Sequence, residues 1–131
     1  MALLTKDAIL AAQDIKTVDV ECPEWGGTVR IKAPNGFERD EFEQMITKRK
    51  GKDVTTDLRN VRARTVARFA VDENGNRMFT DQEAGALGQK SAAALDRCFT
   101  AWLDLAGLSE KEMEEVAENL EGGQSDGCIT G

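Results

Sequence analysis

The residues from Asp72 to Glu83, DENGNRMFTDQE, come closest in this chain to side chains spaced for chemistry. Counted as a loop, they place Asp72, Asn74 and Asn76 at positions 1, 3 and 5, Phe79 at 8, Thr80 at 9 and Glu83 at 12, between two predicted helices. Hard oxygen donors at that spacing would hold a calcium ion in the manner of an EF-hand. Position 6 argues against it. The sharp turn there needs glycine, and this chain has Arg77, a bulky cation beside the would-be ion. Thr80 and Glu83 also fit a capping box, in which a hydroxyl and a carboxylate satisfy the first amides of a helix. No second loop pairs with this one. A turn leading into a capped helix is the simpler reading, and a calcium-binding module is the competing one.

Other candidate motifs are weaker. Arg59, Arg62, Arg64 and Arg68 suggest a nucleic-acid contact. On a helical wheel with Leu58 at zero they fall at about 100°, 40°, 240° and 280°, so they encircle a helix rather than line one stripe. Arg62 falls within the apolar face and is expected to pair with a carboxylate. A small helical DNA-binding regulator is therefore a third reading. Gly85 to Ser91, GALGQKS, shares only composition with a phosphate loop, because its glycines miss the GxxxxGK[ST] spacing and a helix precedes it. The chain has no histidine, which removes the commonest general base and any mixed zinc site. Cys22, Cys98 and Cys128 are odd in number and widely spaced, as suits reduced thiols. With no nucleophile-and-base pair and no cofactor signature, no enzymatic activity is expected.

The bulk charge narrows the partners. A net charge of −7 repels phosphates, so neither nucleic acid nor an anionic membrane is an expected partner. No apolar run approaches the roughly 20 residues of a membrane span. The opening MALLTKDAILAAQDIK lacks a basic region and carries Asp7 inside its apolar part, unlike a secretion signal. A chain of 131 residues suits one domain, long enough to bury about two-thirds of its unfolded surface.

The elements that must position these residues follow from periodicity. Thr5 can cap a short helix over residues 6–12. Val18, Val20 and Cys22 alternate with charged residues, as do Val29 and Ile31 after PEWGG, which predicts a β-hairpin over about 17–33 with one buried face. Trp25, in the turn, is expected to pack back onto the hairpin. Pro34-Asn35-Gly36 breaks the strand and opens a helix over about 37–48, with Phe42, Met45 and Ile46 on its apolar stripe. KGKDVTT, residues 50–56, reads as a mobile loop. A helix over about 57–71 presents Leu58, Val61, Thr65 and Phe69 on one face. A turn at 72–76 ends it, and Thr80 to Glu83 caps a short helix through Leu87 that Gly88 stops.

Residues 91–106 form the strongest predicted helix. Leu95, Cys98, Phe99, Trp102, Leu105 and Ala106 share one broad face, and Asp96, Arg97, Thr100 and Asp104 hold the other. So wide an apolar face can be buried on two sides, in the domain and against another subunit. Leu103 lies at the margin of that face, so the expectation is Leu95, Phe99 and Trp102 inward and Leu103 towards a neighbour. Gly107 is a natural helix stop. Ser109 to Glu112 is a second capping box for a helix with Met113, Val116, Ala117 and Leu120 beside an acidic face. Residues 122–131 should be a disordered tail. The fold class expected is α+β: a mainly helical single domain over 1–121 with an N-terminal hairpin.

Three features together resemble the tail assembly chaperones of long-tailed, siphovirus-type bacteriophages. These are LLTKDAILAAQDIKTVDVECPEWGGTVRI, then ARFAVDENGNRMFTDQEAGALGQKSAAALDRCF, and an acidic helix after Gly107-Leu108-Ser109. The similarity spans about residues 3–120 and rests on the order and spacing of all three. It implies an assembly factor of the host cytoplasm, absent from the mature virion. Its partners would be the phage tape measure protein, which it keeps soluble, the tail tube protein, which it helps recruit, and further copies of itself. It also implies a second, longer product made by programmed frameshift. No cofactor and no metal are implied. The interaction residues expected on this reading are Leu95, Phe99, Trp102, Leu103, Met113, Val116 and Leu120.

Overall fold

The computed structural model describes residues 2–108, and the architecture is a mainly helical α+β domain. In chain order the elements are α1 (Lys6–Ala11), β1 (Thr17–Cys22), β2 (Gly27–Lys32), α2 (Gly36–Met45), β3 (Thr47–Lys50), β4 (Asp53–Thr56), α3 (Val61–Phe69), β5 (Ala70–Val71), α4 (Ala84–Leu87) and α5 (Ala92–Ala106). The predicted C-terminal helix, with Met113, Val116 and Leu120, and the predicted tail lie outside the described residues.

The predicted N-terminal hairpin forms, with Val18 opposite Ile31, Val20 opposite Val29 and Cys22 opposite Gly27. Its inner face buries Cys22 and Ile31 completely, and Val20 and Val29 pack against the same core. The outer face carries the cross-strand pair Asp19–Arg30 at 2.8 Å, whose hydrogen bond holds the Asp19 carboxyl below its usual range. The turn is a short 3₁₀ segment, Pro23–Trp25, and Gly26 at φ 79° supplies the left-handed residue that closes it. Trp25 is half-buried against the core, as expected. Arg97 of α5 pairs with Glu24 and donates to the Glu21 carbonyl, which anchors the hairpin turn to α5.

Three of the predicted boundaries are corrected. First, residues 50–56 are not a loop, because Thr47–Lys50 and Asp53–Thr56 pair as a second antiparallel hairpin. Gly51 at φ 65° begins the two-residue connection, and β-branched Thr47, Val54, Thr55 and Thr56 favour the strands. That pairing also ends α2 at Met45, three residues before the predicted end. Second, α3 begins at Val61 rather than near Asp57. The Asp57 carboxylate accepts from the Arg59 amide and side chain, and Asn60 sits at φ 54°, a left-handed conformation a helix cannot include. Leu58 is therefore off the helix and 44% exposed, whereas Val61, Thr65 and Phe69 are buried as predicted. Third, Ala70–Val71 leaves the helix to join the first sheet beside β2, giving the order β1-β2-β5.

One core serves the whole unit, with α3 and α5 packed together and α5 laid across β1 and β2. The Asn60 side chain donates to the Ala84 carbonyl and lies so close to Gly88 that a methyl group there would collide with it. Gly88 thus has a packing reason beyond stopping α4.

Candidate interaction surface

α5 holds four of the seven residues expected to meet partners. Its N-terminus is capped by Ser91, whose hydroxyl accepts from the Ala94 amide. Leu95 and Phe99 are each 5% exposed, and Trp102 is fully buried. The Trp102 ring lies 4.5 Å from that of Phe42, 4.9 Å from Phe69 and 6.4 Å from Phe99, between centroids. Arg62 stacks over Phe99 at 5.6 Å and pairs with Asp96 at 2.8 Å, as its place on the apolar face required.

Leu103 is a correction. The wheel put it towards a neighbouring molecule, but it is 1% exposed and belongs to the core. The cause lies at the helix end. Gly107 at φ 76° reverses the chain, its amide donates to the Asp104 carbonyl, and the Leu108 amide donates to the Leu103 carbonyl at 2.7 Å. That double bond pattern is a Schellman motif, which brings the residue after the glycine onto the helix's last turn. Leu108 is accordingly buried with Leu103. A wheel drawn on an isolated helix does not contain that reversal. All four α5 positions face the chain's own interior, so none offers a free surface in the single molecule.

The exposed apolar surface lies elsewhere. α1 has no buried residue, and around it Leu3, Leu4, Ile9 and Leu10 stand in solvent, followed by Ile15, Val18 and Phe37. Sequence reasoning identified α1 and its Thr5 cap but gave it no role. The available signal was its shortness, since six residues cannot hold a helix in water without something to pack on. At the root of α1, Asp14, Ile15, Lys16, Ala33, Pro34, Asn35, Gly36 and Leu105 line an open groove of about 420 Å³.

The remaining motifs are engaged in structure. The Asp72 carboxylate accepts from the Asn74 and Asn76 amides, and Glu83 accepts from the Thr80 amide and hydroxyl in the predicted capping box. Arg77 donates to the Ala67 carbonyl and pairs with Asp81 at 2.6 Å, a bond that lowers the Asp81 carboxyl from its ordinary value. Among the described residues, no three His, Cys, Asp or Glu side chains gather closely enough to hold a metal ion. Calorimetric titration with Ca²⁺ is therefore expected to show no heat at site stoichiometry, and binding tighter than about a millimolar would overturn this account of the loop.

The four arginines are likewise occupied. Arg59 pairs with Asp57, Arg62 with Asp96, and Arg68 with Glu41 and Asp81, while Arg64 donates to the Met45 and Asp57 carbonyls. Cys22 and Cys98 face each other across the core with 3.7 Å between sulfurs. Burial, then the hydrogen bond with Cys22, pushes the Cys98 thiol up to about 12. At neutral pH it is a protonated core group, not a nucleophile. No helix among the described residues is long and apolar enough to cross a membrane.

A family model described as phage tail assembly chaperone matches residues 4–119. No curated protein and no solved structure matches the chain.

Proposed function

The chain belongs to the phage tail assembly chaperones, and from that membership we propose that it binds the tape measure protein, keeps it soluble and helps recruit tail tube subunits. It acts in the host cytoplasm during assembly and is absent from the mature virion, with a frameshift-extended form working beside it. The observation that carries this reading is the extent of the family match, residues 4–119 of 131. No chemical step belongs to the role, which is one of binding and release.

The physical requirements are two. A tape measure protein is a long helical chain whose apolar stripes stay uncovered until the tube encloses it. A partner must cover those stripes and carry enough charge to keep the complex in solution. Met113, Val116 and Leu120 recur at helical spacing within residues 109–121, between Glu110, Glu112, Glu114, Glu115, Glu118 and Glu121. In sequence this segment pairs apolar residues at helical spacing with a high density of glutamates, and we assign it the client contact. Leu95, Phe99, Trp102 and Leu103 are withdrawn from that role because the core covers them.

Co-expression tests the proposal. The tape measure protein should be largely insoluble alone, soluble with this chain, and insoluble again with a Met113→Glu, Leu120→Glu variant. A soluble fraction that the chain leaves unchanged would refute the reading. If the variant still solubilises the client, the assignment of the segment is wrong.

A further inference from the structure

We infer that Cys22 and Cys98 form a modification site, a latent disulfide that a peroxide closes to tie the N-terminal hairpin to α5. The two sulfurs lie 3.7 Å apart although the residues are 76 positions apart in sequence, and both side chains are fully buried. They are the two cysteines among the described residues, and each is the other's neighbour. Closure takes the sulfurs from 3.7 Å to the roughly 2.05 Å of a disulfide, which needs side-chain rotation and a small shift of one backbone. Cys22 is placed to shift, as the last residue of β1 before the turn Pro23–Trp25. Cys98 is fixed in the middle of α5. Cysteines that serve only as small apolar fillers have no reason to meet.

Burial keeps the pair unreactive while the fold is closed, so the route in is the hairpin turn. Arg97 holds that turn to α5, pairing with Glu24 and donating to the Glu21 carbonyl at 3.3 Å. The Arg97 and Glu24 side chains are partly in water, which weakens their tie. Local opening of such a turn needs far less free energy than unfolding the domain. It carries Cys22 into solvent and leaves Cys98 on its helix.

One peroxide balances the reaction. In the open turn the Cys22 thiol gives its proton to water, and its sulfur attacks one oxygen of hydrogen peroxide. An S–O bond forms, the O–O bond breaks, and the departing hydroxide takes up a proton as water. Cys22, now a sulfenic acid, returns against Cys98 as the turn closes. The Cys98 sulfur attacks the Cys22 sulfur, the S–O bond breaks, and the leaving hydroxide carries off the Cys98 proton as a second water. Two thiols and one peroxide thus give one disulfide and two waters. That exit suits Cys98, which holds its proton firmly and releases it only to the hydroxide. The cross-link closes a long loop and so restricts the unfolded chain, which stabilises the fold. In a reducing thiol pool the pair stays open. The inference goes beyond the assembly role and is independent of how the client is bound.

A Cys128→Ser variant of the full chain leaves only this pair to react. Hydrogen peroxide at neutral pH should lower its mass by two hydrogens, and digestion without reductant should yield one peptide joining Cys22 to Cys98. The melting temperature should rise by on the order of 10 °C and fall back with dithiothreitol. Cys22→Ala on the same background should show neither change. Arg97→Ala, which frees the turn, should cross-link about fivefold faster. The proposal is overturned if both thiols survive peroxide that oxidises the urea-unfolded chain, or if oxygen is gained without a linked peptide. A link between two molecules, or a disulfide that leaves the melting temperature unchanged, would also overturn it. An Arg97→Ala rate equal to the parent's would overturn entry through the turn.

Discussion

Trp102→Ala is expected to cost about 3–5 kcal/mol of folding stability, a large share of the roughly 5–15 kcal/mol that holds a domain of this size. The indole is fully buried at the meeting point of three elements, with Phe42 from α2, Phe69 from α3 and Phe99 from α5 around it. Truncation removes its transfer energy, opens a cavity and breaks three ring contacts at once. Each such pair adds about 0.5–1.5 kcal/mol beyond area burial. The site also carries a built-in cost, because the indole N–H is buried and meets no acceptor among the described residues. An unpaired buried donor destabilises by about 1–3 kcal/mol. Trp102→Phe loses some volume but removes that donor, so it should be much milder than alanine, below about 2 kcal/mol. Urea denaturation checks both, with Trp25 left as the fluorescent reporter. An alanine variant within about 1 kcal/mol of the parent would mean that the aromatic cluster does not organise the core.

The cluster was half legible in the sequence. Phe99 and Trp102 fall on the wide face of α5 by simple periodicity, and Phe42 and Phe69 fall on the stripes of their own helices. What periodicity cannot give is that the stripes converge on one ring. Local chemistry read well elsewhere: Thr5 and Thr80 cap as expected, and the alternation of Val18, Val20 and Cys22 marked the first strand of the hairpin, though Val18 at its outer end stays exposed. The failures were of two kinds. Lys48, Arg49, Lys50 and Lys52 leave the second hairpin without an apolar alternation, so only the β-branched Thr47, Val54, Thr55 and Thr56 mark its strands. Ala70 and Val71 continue a helical pattern, yet pairing with Arg30 and Ile31, some forty residues earlier, draws them into the sheet. Such long-range competition leaves no mark on the local pattern. The candidate interface was less legible than the fold. A broad apolar face says that something covers it, not whether the cover is the same chain, and on α5 it is. α1 was legible as a helix from its Thr5 cap, but six residues carry too little periodicity to say what its exposed side chains meet.

Leu103→Glu separates the two accounts of α5 most sharply, and the expected result is loss of the fold at neutral pH. Had Leu103 faced a neighbouring molecule, the variant would keep its helical circular dichroism and change only its mass. With Leu103 1% exposed beneath the Schellman turn and beside buried Leu108, the substitution acts inside the core. Removing the leucine alone costs about 2–5 kcal/mol, the value expected of Leu103→Ala. The glutamate adds an unpaired charge in an apolar site, which brings the total beyond the roughly 4–5 kcal/mol that marks exceptional substitutions. The pH dependence has a definite sign. Burial raises the carboxyl pKa of any folded molecules above its unfolded value, so the folded state binds the extra proton more tightly. The variant is then least destabilised below the unfolded carboxylate range and loses stability as pH rises through the folded pKa. Helical signal that recovers on acidification to about pH 4, while Leu103→Ala shows no such recovery, would place the side chain inside. A variant fully folded at neutral pH would return Leu103 to the surface and reopen α5 as an interface.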